Sequence, residues 1–104
     1  MISTYKAIFT EEEISRIAEE IKNNGQREIS VDLHELTVNQ ARKLVKNIIA
    51  IDREGCTLRV IHGYNRGTAI RSMVNNDLAS PKIAERHICK NNPGQTILTI
   101  SKAA

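Results

Sequence analysis

The sequence predicts an α/β fold built on a mixed four-stranded sheet. Two strand–helix units follow one another along the chain and a two-strand hairpin closes it, which makes the order βαβαββ after an N-terminal helix. Two consecutive strand–helix units imply neighbouring parallel strands joined by a right-handed crossover. With 104 residues, 40% of them hydrophobic, the chain has the size and apolar content of one domain with a modest core.

The N-terminal helix is predicted over residues 10–24. Thr10 and Glu13 have the spacing of a capping box, apolar residues recur behind them at helical spacing, and Gly25 is the residue that would end the helix. The first strand is predicted over residues 28–33, because apolar and polar residues alternate there.

The second helix begins at another capping box, formed by Thr37 and Gln40, and its apolar face ends before Gly55. A strand is predicted over residues 57–61, and apolar residues at 69, 70, 73 and 74 then predict a shorter helix.

Two further strands, over residues 83–90 and 95–101, flank a segment at 91–94 whose Pro-Gly pair suits a type II turn. We therefore expect an α/β domain over residues 28–104, preceded by a helical extension over residues 1–27.

Composition argues against several classes of protein. Three aromatic residues and no tryptophan disfavour binding of single strands by an aromatic stacking platform. Cys56 and Cys89 lie 33 positions apart, with no C-x-x-C motif and no Cys–His pair at ligand spacing, so no zinc site is expected. The sequence shows no signal peptide and no apolar run long enough to cross a membrane, so a cytoplasmic chain without membrane association is expected.

Positive charge is concentrated in the C-terminal half. Residues 56–104 hold seven lysines and arginines and two acidic residues, whereas residues 1–55 hold eight and ten. The basic residues around the second strand end are Arg59, Arg66, Arg71, Lys82, Arg86 and Lys90. Such a cluster suits a phosphate-binding face, but an ordinary solvated surface is the alternative, because no consecutive run of like charges occurs there.

Polar, titratable residues follow the first two strands of the predicted sheet. Asp32 and His34 close the first strand, and His62 closes the second. Open α/β sheets keep their sites at the carboxyl ends of parallel strands, so we expect these side chains at one edge. The segment from Gly63 to Gly67 then opens a helix, where unpaired main-chain N–H groups favour an anion.

These residue types suit cleavage of a phosphodiester. Imidazoles titrate near neutral pH, so His34 and His62 could take a proton from an attacking hydroxyl and return one to the leaving oxygen. Asp32 would orient His34 or bind a metal ion. RNA carries its own nucleophile in the 2′-hydroxyl, whereas DNA needs a water that a metal usually activates, so the cofactor stays open, with magnesium or manganese as the candidates.

The loop after the second strand supplies the candidate nucleic-acid contacts. Arg66 and Arg71 would hold phosphates, and Gly63 and Gly67 would let the main chain approach them. Tyr64 would stack on a base, which is the favoured role, or cover the loop.

Each of these residues also has a purely structural interpretation. A single histidine at the end of a strand is more often a satisfied structural residue than a catalyst, and Asp32 can simply cap a turn. His87 has no partner pattern and is interpreted as a solvent-facing residue.

The sequence resembles the small MutS-related (Smr) domain family over residues 28–101. That family is marked by an Asp-Leu-His-Gly box and a His-Gly-x-Gly-x-Gly box; the corresponding segments are Asp32-Leu33-His34-Glu35 and His62-Gly63-Tyr64-Asn65-Arg66-Gly67. Glu35 and Asn65 stand where the boxes have glycine, and asparagine tolerates a left-handed main chain better than most residues.

The resemblance implies a two-layer α/β sandwich, like the C-terminal domain of translation initiation factor three, with the last strand inserted next to the second. It implies binding of DNA or RNA and endonuclease activity, in some members at stalled ribosomes, with the Asp and first His acting in cleavage and the glycine-rich box in binding. A non-catalytic nucleic-acid or ribosome-binding module is the alternative, and a small-molecule phosphate binder or phosphatase is a third. Substrate and oligomeric state stay open.

Overall fold

The computed structural model describes residues 7–63, 68–89 and 94–102. Their elements, in chain order, are helix α1 (Glu11–Ser15), strands β1 (Ile17–Ile21) and β2 (Arg27–Asp32), helix α2 (Val38–Ile51), strand β3 (Cys56–Ile61), helix α3 (Thr68–Ser72) running into a π-helical turn (Met73–Asp77), and strands β4 (Ile83–Ile88) and β5 (Gln95–Ile100). In these ranges no helix is both long enough and apolar enough to cross a bilayer.

The strands form one mixed sheet in the order β1-β2-β3-β5-β4. Strands β2 and β3 are parallel, and the other neighbouring pairs are antiparallel. The parallel pair confirms the prediction from the two strand–helix units, and β5 lies beside β3, as the resemblance implies. The turn predicted at 91–94 lies outside the described residues except for Gly94.

The N-terminal helix predicted over residues 10–24 is wrong beyond Ser15, and the sheet consequently has five strands rather than four. Residues Ile17–Ile21 form β1, which pairs antiparallel with β2. Gly25 has a φ of +84° and lies in the hairpin turn between them, where Gly25 N–H donates to the carbonyl of Lys22 at 2.9 Å. Pairing along the free edge of β2 thus overrides the helical tendency of the segment.

Both predicted capping boxes are present. Thr10 and Glu13 form the first and Thr37 and Gln40 the second, each through reciprocal side-chain to main-chain hydrogen bonds. The second box sets the start of α2. Because α2 follows the turn after β2, its start determines how the chain leaves the end of that strand.

Alternation along the strands gives the sheet two different faces. One face packs against α2 and the π-helical turn; its buried strand residues include Ile29, Val31, Leu58, Val60, Leu98 and Ile100. We call the opposite side the outer face; its central residues are only half buried and include Ser30, Asp32, Arg59, Ile61 and Ile97. The fold is therefore one layer of helix on one layer of sheet.

Candidate active site

Asp32 and His34 form a hydrogen-bonded pair at the carboxyl end of β2. Asp32 Oδ1 accepts the main-chain N–H of His34 at 3.1 Å and lies 2.6 Å from His34 Nδ1. The imidazole is 60% exposed and the carboxylate 38% exposed. The structure thus brings together two of the three residues predicted to be catalytic, at a point open to a large ligand.

The electrostatics of the pair favour a charged carboxylate beside the ring. Partial burial by itself would raise the pKa of Asp32, but the hydrogen bonds from the ring and main chain of His34, with the charges of His34 and Arg16, lower that pKa below its ordinary value. An ionised carboxylate only accepts hydrogen bonds, so it selects the His34 form that carries a proton on Nδ1. The Nε2 lone pair then faces away from Asp32.

A tight turn follows the pair. Leu36 N–H donates to the carbonyl of Leu33 at 3.2 Å, and Glu35 has a φ of +69°. A positive φ at the third position of a turn favours glycine. This accounts physically for the glycine at this position of the Asp-Leu-His-Gly box, and Glu35 adopts the same conformation with an exposed carboxylate.

Arg16 is a site residue that the sequence analysis missed. Its Nη1 donates to the carbonyl oxygens of Asp32 at 3.0 Å and His34 at 2.8 Å, and its Nε donates to Glu12 at 2.7 Å. The predicted helix over residues 10–24 contains Arg16, because the prediction did not include the pairing of β1 with β2. The Asn24–Gly25 pair, a common hairpin signal, was the clue in the sequence.

His62 lies on the other face of the sheet from Asp32. Asp32 pairs with Ile61 on the outer face, so the next residue, His62, points towards the helices and is 2% exposed. His62 Nδ1 is 2.8 Å from the carbonyl oxygen of Gly63, and Nε2 is 2.9 Å from the hydroxyl of Thr96. The two histidines share one end of the sheet, but no hydrogen bond between them occurs in the described structure.

The surroundings of His62 hold it inside the protein. Burial lowers its pKa, the carbonyl of Gly63 acts in the opposite direction, and the charge of Arg71 lowers it further. The Thr96 hydroxyl donates its one proton to Asn75 Oδ1 at 2.7 Å, so it accepts from His62 Nε2 and links the ring to the π-helical turn. π-Helical turns are frequent at functional sites.

The loop after β3 is tied to the start of β5. The main-chain N–H groups of His62 and Gly63 both donate to the carbonyl of Gly94, at 2.9 and 3.0 Å. Gly63 has a φ of +73°, a conformation suited to glycine. Its N–H is therefore already used within the protein. The predicted contacts Tyr64, Asn65, Arg66 and Gly67 lie outside the described residues.

Several basic residues of the C-terminal half have partners inside the protein. Arg59 donates to a glutamate of β2, whereas Lys82 and Arg86 donate to main-chain carbonyls at the ends of α2 and the π-helical turn. Arg71 on α3 is exposed, with no hydrogen bond or ion pair to another described residue. Arg66 and Lys90 lie outside the described residues. Among those that are described, Arg71 is thus the basic residue best placed to meet a phosphate.

The described part of the chain does not bring together a set of metal ligands. In residues 7–63, 68–89 and 94–102, no group of three His, Cys, Asp or Glu side chains lies close enough to hold an ion. Asp32 is the carboxylate at the site that could contribute to binding one.

Comparison with models of known protein families identifies the family of this chain. The family model named Smr domain matches residues 31–96. A search of curated proteins found no match. The matched region starts one residue before Asp32 and ends at Thr96, the partner of His62, and so contains both strand ends of the candidate site. Since it also spans well over half of the chain, this protein belongs to the Smr domain family.

Proposed function

We propose that this domain binds nucleic acid and cleaves phosphodiester bonds at the Asp32–His34 pair. One observation carries the proposal: a 60% exposed imidazole whose Nδ1 is held by a carboxylate at 2.6 Å. A carboxylate that fixes the ring and leaves the other nitrogen open is the arrangement that general bases use in hydrolytic enzymes.

In the proposed reaction, His34 Nε2 removes the proton from the attacking oxygen, which is the 2′-hydroxyl in RNA or a water molecule in DNA. That oxygen bonds to phosphorus, the bond from phosphorus to the leaving oxygen breaks, and the leaving oxygen takes up a proton from solvent water. The negative charge of Asp32 stabilises the imidazolium formed in the first step. Magnesium or manganese, when bound, would activate the water in a reaction on DNA, with Asp32 as a ligand.

The remaining predicted residues are given binding and positioning roles. Arg66 and Arg71 would contact phosphates, and Tyr64 would stack on a base. Gly63, Asn65 and Gly67 would let the main chain of the second box approach the nucleic acid. We assign His62 a positioning role rather than proton transfer to substrate, because it is 2% exposed and its ring nitrogens lie against Gly63 and Thr96 inside the protein. It supports the main chain at Gly63, from which the binding loop begins.

A non-catalytic module that binds nucleic acid or the ribosome is the second candidate. The observation that favours it is the burial of His62, which withdraws the second imidazole that acid–base cleavage was expected to use. The exposed carboxylate of Glu35 also repels phosphate beside His34.

Cleavage of end-labelled RNA and DNA oligomers separates the two candidates. We expect the wild-type protein to cut, and His34→Gln and Asp32→Asn to lose most of the activity while remaining folded. His87→Gln is a matched control, because His87 is 62% exposed and also lies against a carboxylate, at 2.9 Å from Glu85. It should cut at the wild-type rate.

Magnesium, manganese or a chelator would be added in parallel reactions. Chelator-resistant cutting of RNA would support attack by the 2′-hydroxyl, and metal-dependent cutting would support an activated water. Salt-sensitive binding without cleavage would favour the non-catalytic module. Equal cutting by the wild-type and His34→Gln proteins would refute the assigned chemistry.

A further inference from the structure

Arg16 joins the N-terminal segment to the candidate site. It lies between α1 and β1, outside the region that matches the Smr domain model, and its side chain is only 13% exposed. Its Nη1 bridges the carbonyl oxygens of Asp32 and His34. Its own carbonyl accepts the main-chain N–H of Asp32 at 2.9 Å. Arg16 therefore contacts the chain on both sides of Leu33.

These contacts lie where the main chain leaves strand β2 and turns. Strand β2 ends at Asp32, and Glu35 already has a positive φ three residues later. Within this short distance Asp32 Oδ1 must meet both the main-chain N–H and the ring Nδ1 of His34. A guanidinium that holds the carbonyls of Asp32 and His34 sets the bend between them, and thus the direction in which the imidazole leaves the main chain.

We infer that Arg16 is a positioning residue of the Asp32–His34 site, and that the N-terminal segment is part of that site. The inference rests on the proposed function, which it deepens by naming what aligns the reacting ring. Glu12 completes the arrangement, because its carboxylate accepts from Arg16 Nε at 2.7 Å and orients the guanidinium plane. Residues that hydrogen-bond to the groups around a functional histidine commonly determine the orientation of its ring.

The planar guanidinium is well suited to this role. Nη1 directs its two N–H bonds at two carbonyls while Nε donates to a third acceptor, in a geometry that the guanidinium plane fixes. A lysine ammonium keeps the charge but lacks this fixed fork. Arg16→Lys should therefore retain part of the alignment, and Arg16→Gln should lose it.

The test reads the position of the proton on His34 in the full chain labelled with ¹⁵N. Long-range proton–nitrogen spectra distinguish an imidazole protonated on Nδ1 from one protonated on Nε2. We expect the Nδ1–H form in the wild type, a shift towards Nε2–H in Arg16→Gln, and an intermediate ratio in Arg16→Lys. Arg86→Gln is the matched control, because Arg86 also donates to two main-chain carbonyls, those of Val74 and Leu78. It should keep the Nδ1–H form.

Cleavage kinetics provide the second readout. Arg16→Gln should lower kcat by about tenfold to a hundredfold, as expected when a residue that orients a functional histidine is removed, with KM nearly unchanged. Arg53→Gln controls for the lost charge, since Arg53 is exposed and has no ion pair within the described ranges. It should keep the wild-type kcat.

The outcomes separate this inference from the proposed function. A folded Arg16→Gln protein with the wild-type ratio of ring forms overturns the inference, even if the wild type cleaves. Should Arg16→Gln fail to fold, a folded Arg16→Lys protein with the full Nδ1–H form overturns it instead. Absence of cleavage by the wild type contradicts the proposed function alone, because the ring forms still decide the role of Arg16.

Discussion

Replacing Thr96 by valine should destabilise the protein although it barely changes the shape of the side chain. The Thr96 hydroxyl is fully buried, lies 2.9 Å from His62 Nε2 and donates to Asn75 at 2.7 Å. Valine leaves the buried His62 nitrogen without a partner, which costs about 1–3 kcal/mol. Asn75 is half exposed and can turn to water, so it adds little. We therefore expect a loss of about 2 kcal/mol in the free energy of unfolding.

Urea denaturation of the wild type and Thr96→Val measures this loss directly. The denaturation midpoint should fall without a change in slope, and the melting temperature should fall by about 8–16 °C for a domain of this size. Thr99→Val is the matched control, because Thr99 lies on the same strand but on the outer face and is only half buried. A loss below about 0.5 kcal/mol, or an equal loss in the control, would refute the view that the hydroxyl anchors His62.

Three further predictions concern stability and binding. Glu35→Gly should raise the free energy of unfolding by about 0.5 kcal/mol, because relief of the positive φ outweighs the added freedom of the unfolded chain; a less stable variant in urea would contradict this. Folding lowers the pKa of His62, so the neutral ring stabilises the fold at pH values above its ordinary pKa of 6.5, and this contribution should disappear as the pH falls through the folded pKa. Urea titrations should therefore show that His62→Gln loses less stability than the wild type on acidification, and an identical profile for the two proteins would refute the assignment. Arg71→Gln should lower the slope of oligomer affinity against salt by about one, whereas Arg86→Gln should lower stability by about 2 kcal/mol and leave that slope unchanged; equal slopes for the two variants would contradict the difference.

The central fold could be predicted because its signals are local. Each capping box lies within four residues, and alternation along β2 and β3 reports burial on one face. The parallel pairing of these strands then follows from the helix between them. Asp32 and His34 could be found for the same reason, since both lie at the end of a recognisable strand.

Strand β1 could not be predicted from local preference. Ile17–Ile21 contains two glutamates and an alanine, which favour a helix in isolation. Pairing with β2 reverses this preference, because β1 hydrogen-bonds the main-chain groups along the edge of β2 and Ile17 packs against the core. The position of Arg16 depended on this pairing and was missed with it.

The face on which His62 lies follows from the alternation along β3, because His62 comes two residues after the buried Val60 and shares its face. Asp32 is the last residue of β2 and pairs with Ile61 in β3, whereas His62 comes one residue after Ile61. A shift of one residue moves a side chain to the opposite face. Proximity along the sheet edge was therefore predicted, but the burial of His62 was not.

Protection of His34 by a bound oligomer tests the central claim most directly, because it requires no activity. Diethyl pyrocarbonate modifies accessible imidazoles, and mass spectrometry assigns the modification to each histidine. In the free protein we expect rapid modification of His34 and His87, which are 60% and 62% exposed, and slow modification of His62. A saturating RNA or DNA oligomer should protect His34 and leave His87 reactive. Equal modification of His34 with and without the oligomer would contradict a nucleic-acid site at the Asp32–His34 pair.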